Sequence, residues 1–136
     1  MSVILTPYLN FRDTAREAIE FYHSVFGGDL TISTFGEMGM GQDPSESDKV
    51  MHSMLTAPNG LVLMAADTPD RMDYTPGTNF SVSLSGDDTE TLTRYWESLS
   101  DGATIVEPLS KAPWGDSFGM LNDRFGISWL VNISGS

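Results

Sequence analysis

Two rhythms of apolar residues run along this chain, and each occurs twice. Val3 to Phe11 is apolar and β-branched, which predicts a strand; Pro7 inside it marks an edge or a bulge. Ala15, Ala18, Ile19, Tyr22, Val25 and Phe26 follow at helical spacing and define one apolar face. Thr14 and Glu17 have the spacing of a capping box at the helix start, and Gly27-Gly28 ends it. His23 falls off the apolar face and is expected to be exposed. Strand-like runs come next at Leu30–Phe35, Val50–Ala57 and Leu61–Ala66, with Asn59-Gly60 as a hairpin signal between the last two.

The same order returns further along. Asn79 to Leu84 alternates like a strand, and Asp87 with Glu90 repeats the capping arrangement. Leu92, Tyr95, Trp96 and Leu99 make the helical stripe, and Gly102 follows it. A shift of 73 positions carries Glu17 to Glu90, Ile19 to Leu92, Tyr22 to Tyr95 and Phe26 to Leu99. Strand-like runs at Thr104–Pro108, Phe118–Asn122 and Ile127–Ile133 complete the second copy. Two copies of one supersecondary unit are expected: βαβββ over 1–67, a Pro-, Asp- and Gly-rich linker over 68–78, and βαβββ over 79–134. Residues 36–49 show no periodicity and read as a mobile, lid-like loop.

The fold class is therefore α+β. A single helix covers one face of each four-stranded mixed sheet, and the other face needs a partner. Two curled sheets facing one another would form a half-open barrel around an apolar pocket with a few polar groups.

Composition narrows the functional classes. Seven Lys and Arg against 19 Asp and Glu give a net charge of −12 over 136 residues, a field that repels nucleic acid and anionic membranes. With no cysteine there is no disulfide scaffold, thiolate metal site or cysteine nucleophile. No stretch is long and apolar enough for a membrane span, and the start lacks a signal-peptide pattern, so a cytoplasmic protein is expected. "GEMGMG" lacks Walker spacing, and there is no Gly-x-Ser-x-Gly elbow.

Five segments carry a family resemblance: "PYLNF" (7–11), "EAIEFYHSVFGG" (17–28), "VMHSML" (50–55), "LVLMAAD" (61–67) and "WGDSFGMLNDRFGISWLV" (114–131). Together they resemble the vicinal oxygen chelate superfamily of glyoxalase I, extradiol dioxygenases and bleomycin-resistance proteins. They resemble most closely its PhnB-like branch, often labelled with a 3-demethylubiquinone methyltransferase name. The resemblance spans nearly the whole chain. It implies the glyoxalase/bleomycin resistance fold, a cavity between paired modules and a homodimer.

Enzymes of that superfamily hold a divalent metal with His and Glu side chains, and the matching positions here are poor in donors. They fall on Pro7, on Asn79 or Phe80, and on Leu130; only the third-strand position, near His52 or Met54, offers a ligand. A catalytic metal site usually needs about three protein ligands, so no metal and no cofactor is expected. The resemblance instead implies a pocket wall to which His52, Met54, Leu9, Trp114, Phe118 and Leu130 contribute, open to a small organic molecule.

His52 has three readings: a histidine hydrogen-bonded within the wall, a ligand contact, or a general base or metal ligand. Asp67 and Asp123 read as turn or capping residues before they read as partners of chemistry. Trp129 and Trp96 read as core. The function expected is small-molecule binding without the usual metal centre. The alternative is an enzyme of the same fold, metal-dependent or assisted by His52, with lyase, isomerase or dioxygenase-type chemistry.

Overall fold

The structure is a computed structural model that describes residues 2–39 and 44–135. The chain divides into two compact units between Thr75 and Pro76, inside the segment expected to link them. Each unit is βαβββ, and the two share one topology.

The first unit contains β1 (Tyr8–Phe11), α1 (Ala15–Phe26), β2 (Asp29–Thr34), β3 (Val50–Thr56) and β4 (Val62–Asp67). Its sheet order is β1-β4-β3-β2; β1 lies parallel to β4 and the other pairs are antiparallel. Period-two alternation sorts the side chains onto two faces. Leu9, Ala65 and Ser53 are cross-strand neighbours in one buried row, and all six residues of the predicted helical stripe are buried. The buried Ser53 hydroxyl donates to the Ala65 carbonyl at 2.7 Å, so the one polar group in that row is satisfied.

Three local expectations need correction here. The first strand begins at Tyr8, not Val3; Val3 and Leu5 are 99% exposed. Pro7 has no N–H, and pairing opens only with the Met64 N–H donating to the Pro7 carbonyl. The capping box does not form, since the Thr14 side chain makes no cap hydrogen bond. The N–H of Ala15 donates instead to Oδ1 of Asp67 at 3.0 Å, and Oδ2 accepts from the N–H of Val50 at 2.9 Å. A side chain 52 positions along the chain has replaced the local cap. A lost cap is worth about 1 kcal/mol, whereas each fully buried large apolar side chain contributes about 1.5–3 kcal/mol, so the stripe determines where α1 lies and Asp67 trims its start. The third concerns 36–49: residues 40–43 lie outside the described residues, but the flanks are fastened. Phe35 and Gly36 donate to the carbonyls of Lys49 and Ser47, and Thr34 Oγ1 accepts from the N–H of Glu37.

At the other end of α1, Gly28 has φ +91° and sits against β3. A Cβ there would stand 2.1 Å from the Thr56 carbonyl oxygen, so only glycine fits the turn. The hairpin predicted at Asn59-Gly60 forms, with Asn59 at φ 68° and Gly60 at φ 75°. His23 is half-buried, and its Nε2 lies 2.9 Å from the Gly28 carbonyl.

The start of the expected linker is bound to the first unit. Thr68 donates to the Phe11 carbonyl, and Arg12 donates to the carbonyls of Pro69 and Met72. Lys49 meets Asp13 at 3.0 Å, Asp70 at 3.1 Å and Glu46 at 3.8 Å. The hydrogen bond to Asp13 and the carboxylate charges around it push the Lys49 ammonium up to about 12.

The second unit contains β5 (Val82–Gly86), α2 (Thr89–Leu99), β6 (Thr104–Lys111), β7 (Ser117–Asn122) and β8 (Ser128–Ile133), in order β5-β8-β7-β6. β5 starts at Val82 rather than Asn79 because its parallel partner β8 begins only at Ser128, and Val82 pairs with Trp129. β6 continues to Lys111, past the predicted end; Pro108 is tolerated because β6 is an edge strand whose register breaks between Glu107 and Ser110. Leu92, Tyr95, Trp96 and Leu99 are buried as the spacing predicts. Gly119 is buried beneath α2, where a Cβ would approach the Trp96 ring to 2.7 Å.

The α2 cap is Asp88, not Asp87: its side chain accepts from the N–H of Thr91 at 3.1 Å. Asp123 performs the turn role expected, accepting from the N–H groups of Phe125 and Ile127, and it also receives the indole N–H of the buried Trp129 at 2.9 Å.

Asp67→Ala leaves the N–H groups of Ala15 and Val50 without their acceptor, so unfolding in urea should show a loss of about 2–4 kcal/mol; a loss below about 0.5 kcal/mol would remove the carboxylate from this role. Asp88 has a pKa held below the ordinary 3.8 by the backbone hydrogen bond from Thr91. A lowered folded-state pKa means its stabilisation is present above pH 3.8 and is lost as pH falls through the folded value. The gap in urea midpoint between wild type and Asp88→Ala should therefore be full at neutral pH and close on acidification below about pH 4; a gap independent of pH would contradict the cap.

Candidate functional site

The faces not covered by the helices hold the candidate site. In the first unit the same alternation that buries Leu9, Ser53 and Leu55 turns Tyr8, Asn10, His52, Met54 and Met64 to the opposite face. Tyr8 pairs with Met64, and Met64 with Met54, so the three form one cross-strand row. His52 and Met54 are both half-buried, on the same face of β3.

His52 has a partner. Tyr8 Oη lies 3.2 Å from its Nδ1, with ring centroids 5.8 Å apart and planes tilted by 34°. Partial burial raises the pKa of Tyr8, so its phenol stays protonated over a wider range. The hydroxyl is a donor and Nδ1 an acceptor in the arrangement that holds the histidine as its Nε2–H tautomer. Nε2 has no hydrogen-bond partner among the described residues, and it is not sealed off, since the one buried side-chain nitrogen or oxygen without a partner among them is Nε of Arg12.

Leu9 is placed elsewhere. It is 4% exposed, on the helix-covered face of β1, and the β1 residue beside His52 is Tyr8. The segment "PYLNF" does not by itself fix which parity of β1 the helix covers. Tyr8 and Met64 were missed for the same reason, although the alternation Tyr8-Leu9-Asn10-Phe11 held the signal. Asp67 points to the helix side, its two oxygens committed to Ala15 and Val50, and does not orient His52.

In the second unit, Leu130 pairs with Ser83 and Met120, and Phe118 with Asn132, all on the face opposite the buried Trp129, Val131 and Leu121. Trp114 stands 6.3 Å from Phe118 between ring centroids and is 66% exposed. Asp116 accepts from the side-chain amide of Asn132 at 3.1 Å and from the N–H of Gly135 at 2.9 Å. The hydrogen bond from Gly135 lowers its pKa most. Asp116 thus holds the chain beyond β8 against the loop that carries Trp114. Phe118 and Leu130 are brought onto one face of this sheet, and His52 and Met54 onto one face of the other.

The donor positions of the superfamily do not fit a metal. Pro7 contributes only its carbonyl to pairing, Asn79 and Phe80 lie before β5, and Leu130 is apolar. Among the described residues, no three His, Cys, Asp or Glu side chains form a metal-ligating group. No helix among them is long and apolar enough to cross a membrane.

Known proteins share this architecture. A protein of Pseudomonas aeruginosa, PA1353, is 34% identical, with a TM-score of 0.85 over 99% of this chain and 100% of that one. The protein from Bacillus cereus described as a putative 3-demethylubiquinone-9 3-methyltransferase, PhnB protein, is 27% identical, with a TM-score of 0.77 over 97% and 100%. A glyoxalase/bleomycin resistance protein/dioxygenase family enzyme from Burkholderia phytofirmans, 15% identical over 94% and 95% with a TM-score of 0.62, shows the fold alone. The family model described as 3-demethylubiquinone-9 3-methyltransferase matches residues 4–132. With two βαβββ units of glyoxalase-like fold and that match over nearly its full length, the chain belongs to the 3-demethylubiquinone-9 3-methyltransferase, or PhnB, family.

Proposed function

We propose that this protein binds a small organic molecule, without the usual metal centre of its superfamily, on the sheet face that the helix of the first unit leaves uncovered. The observation that carries the reading is the uncovered face of the first sheet, where Met54 and Met64 lie beside the hydrogen-bonded pair Tyr8 and His52, with Asn10, Thr31 and Ser33 as further polar groups. An apolar wall with a few convergent polar groups is the usual make-up of a ligand site. On the second sheet, Phe118 and Leu130 with the exposed ring of Trp114 form an uncovered apolar surface of their own. A homodimer in the cytoplasm is part of the same reading. Each unit exposes apolar side chains suited to a second copy: Val3, Ile4 and Leu5 in the first, Ile105 and Val106 on β6 in the second.

An enzyme of the same fold is the second reading, and the Tyr8–His52 hydrogen bond favours it, since a phenol and an imidazole in contact can pass a proton to or from a bound molecule. Methyl transfer, which the family's description names, has less support: among the described residues, the turns from β1 into α1 and from β5 into α2 are not the glycine-rich loops that a nucleotide-type donor requires.

Native mass spectrometry of the gently purified protein should reveal a retained small molecule, and His52→Ala should release it; a mass equal to the bare chain after exposure to host extract would sink the binding reading. Protein purified without chelator or metal-affinity resin should carry well under one equivalent of divalent metal, as read by elemental analysis, and one tightly held equivalent would overturn the metal-free part.

A further inference from the structure

We propose that the ligand is a neutral molecule bearing a carbonyl oxygen on an apolar, preferably aromatic body, and that Tyr8 is the positioning residue that presents His52 Nε2–H to that oxygen. This rests on the binding reading above and gives it a chemical class.

Geometry supplies the donor. Tyr8 Oη lies 3.2 Å from Nδ1; when the hydroxyl donates there, the remaining ring proton sits on Nε2, which has no other partner among the described residues. The free end of the pair is then a neutral N–H, suited to a carbonyl oxygen. Charge decides against an anion. The uncovered face of this sheet, including Asp29, Thr31 and Ser33 of β2, contains no lysine or arginine among the described residues. The two cations next to its strands are committed elsewhere: Arg12 to the carbonyls of Pro69 and Met72, Lys49 to Asp13, Asp70 and Glu46. A carboxylate would have to leave water for a single neutral donor on a protein of net charge −12. The body of the ligand follows from the thioethers: Met54 and Met64 are adaptable and favour aromatic edges.

The test uses three probes of similar size on ¹⁵N-labelled full-length protein: acetophenone, benzoate and ethylbenzene. Acetophenone should shift the His52 ring nitrogens saturably and bind about tenfold more tightly than either of the others, the value of one hydrogen bond. Tyr8→Phe, at a position 43% exposed and so expected to fold, should weaken acetophenone several-fold and leave ethylbenzene unchanged. Its His52 nitrogens should also show the Nδ1–H form populated, a signature that a merely structural role would not move. His52→Gln, which retains an N–H donor, should keep part of the preference for acetophenone that His52→Leu loses. Equal affinity for ethylbenzene and acetophenone would leave binding intact and overturn the carbonyl assignment. Tighter benzoate would overturn neutrality, and silence from all three probes would overturn this inference and count against the binding reading itself.

Discussion

A four-stranded sheet served by one helix has one face in the core and one face left over. That constraint organises each half of this chain. Because side chains alternate strictly along a strand, residues on the helix-covered face are committed to packing, and any chemistry falls to the other parity. Leu9, Ser53, Leu55 and Ala65 belong to the first set; Tyr8, His52, Met54 and Met64 belong to the second. In the second unit, Gly119, Leu121, Trp129 and Val131 pack, whereas Phe118, Met120 and Leu130 are left available. Shifting a strand by one residue would exchange the two sets, so the ladders fix the site as firmly as they fix the core.

Most of the fold was legible in the sequence because it rests on periodicities that survive averaging. Both helical stripes, the duplicated βαβββ order and the Asn59-Gly60 hairpin are patterns of several residues each, and single exceptions do not erase them. The ends of elements were less legible. Thr14 and Glu17 have the spacing of a cap, but the acceptor at that helix start comes from Asp67, and no local pattern reveals a partner so distant. Val3 to Leu5 have strand-forming side chains yet no partner strand alongside, because strand identity depends on a ladder as well as on propensity.

The candidate site was legible by location and less so by residue. The resemblance pointed to β3, and the uncovered face of that strand does carry His52 and Met54. It did not set the parity of β1, where Tyr8 rather than Leu9 lies beside His52. Tyr8 and His52 are separated by 44 positions and meet diagonally across β4, a contact that exists only once three strands are in register. In a single sequence, polar residues such as Tyr8 and Asn10 give no sign of which one is placed to interact.

The carboxylate of Asp67 has a consequence for how such a protein can change over evolutionary time. One side chain holds both the first turn of α1 and the first residue of β3, the strand that carries His52. Replacing it would disturb helix and site together, so that position has little freedom to drift. Tyr8, Met54 and Met64 lie on the uncovered face, where their side chains are not required by the helix packing. A lineage that changes the chemistry of this face would find its tolerated steps at those three positions, with Asp67 holding the frame constant beneath them.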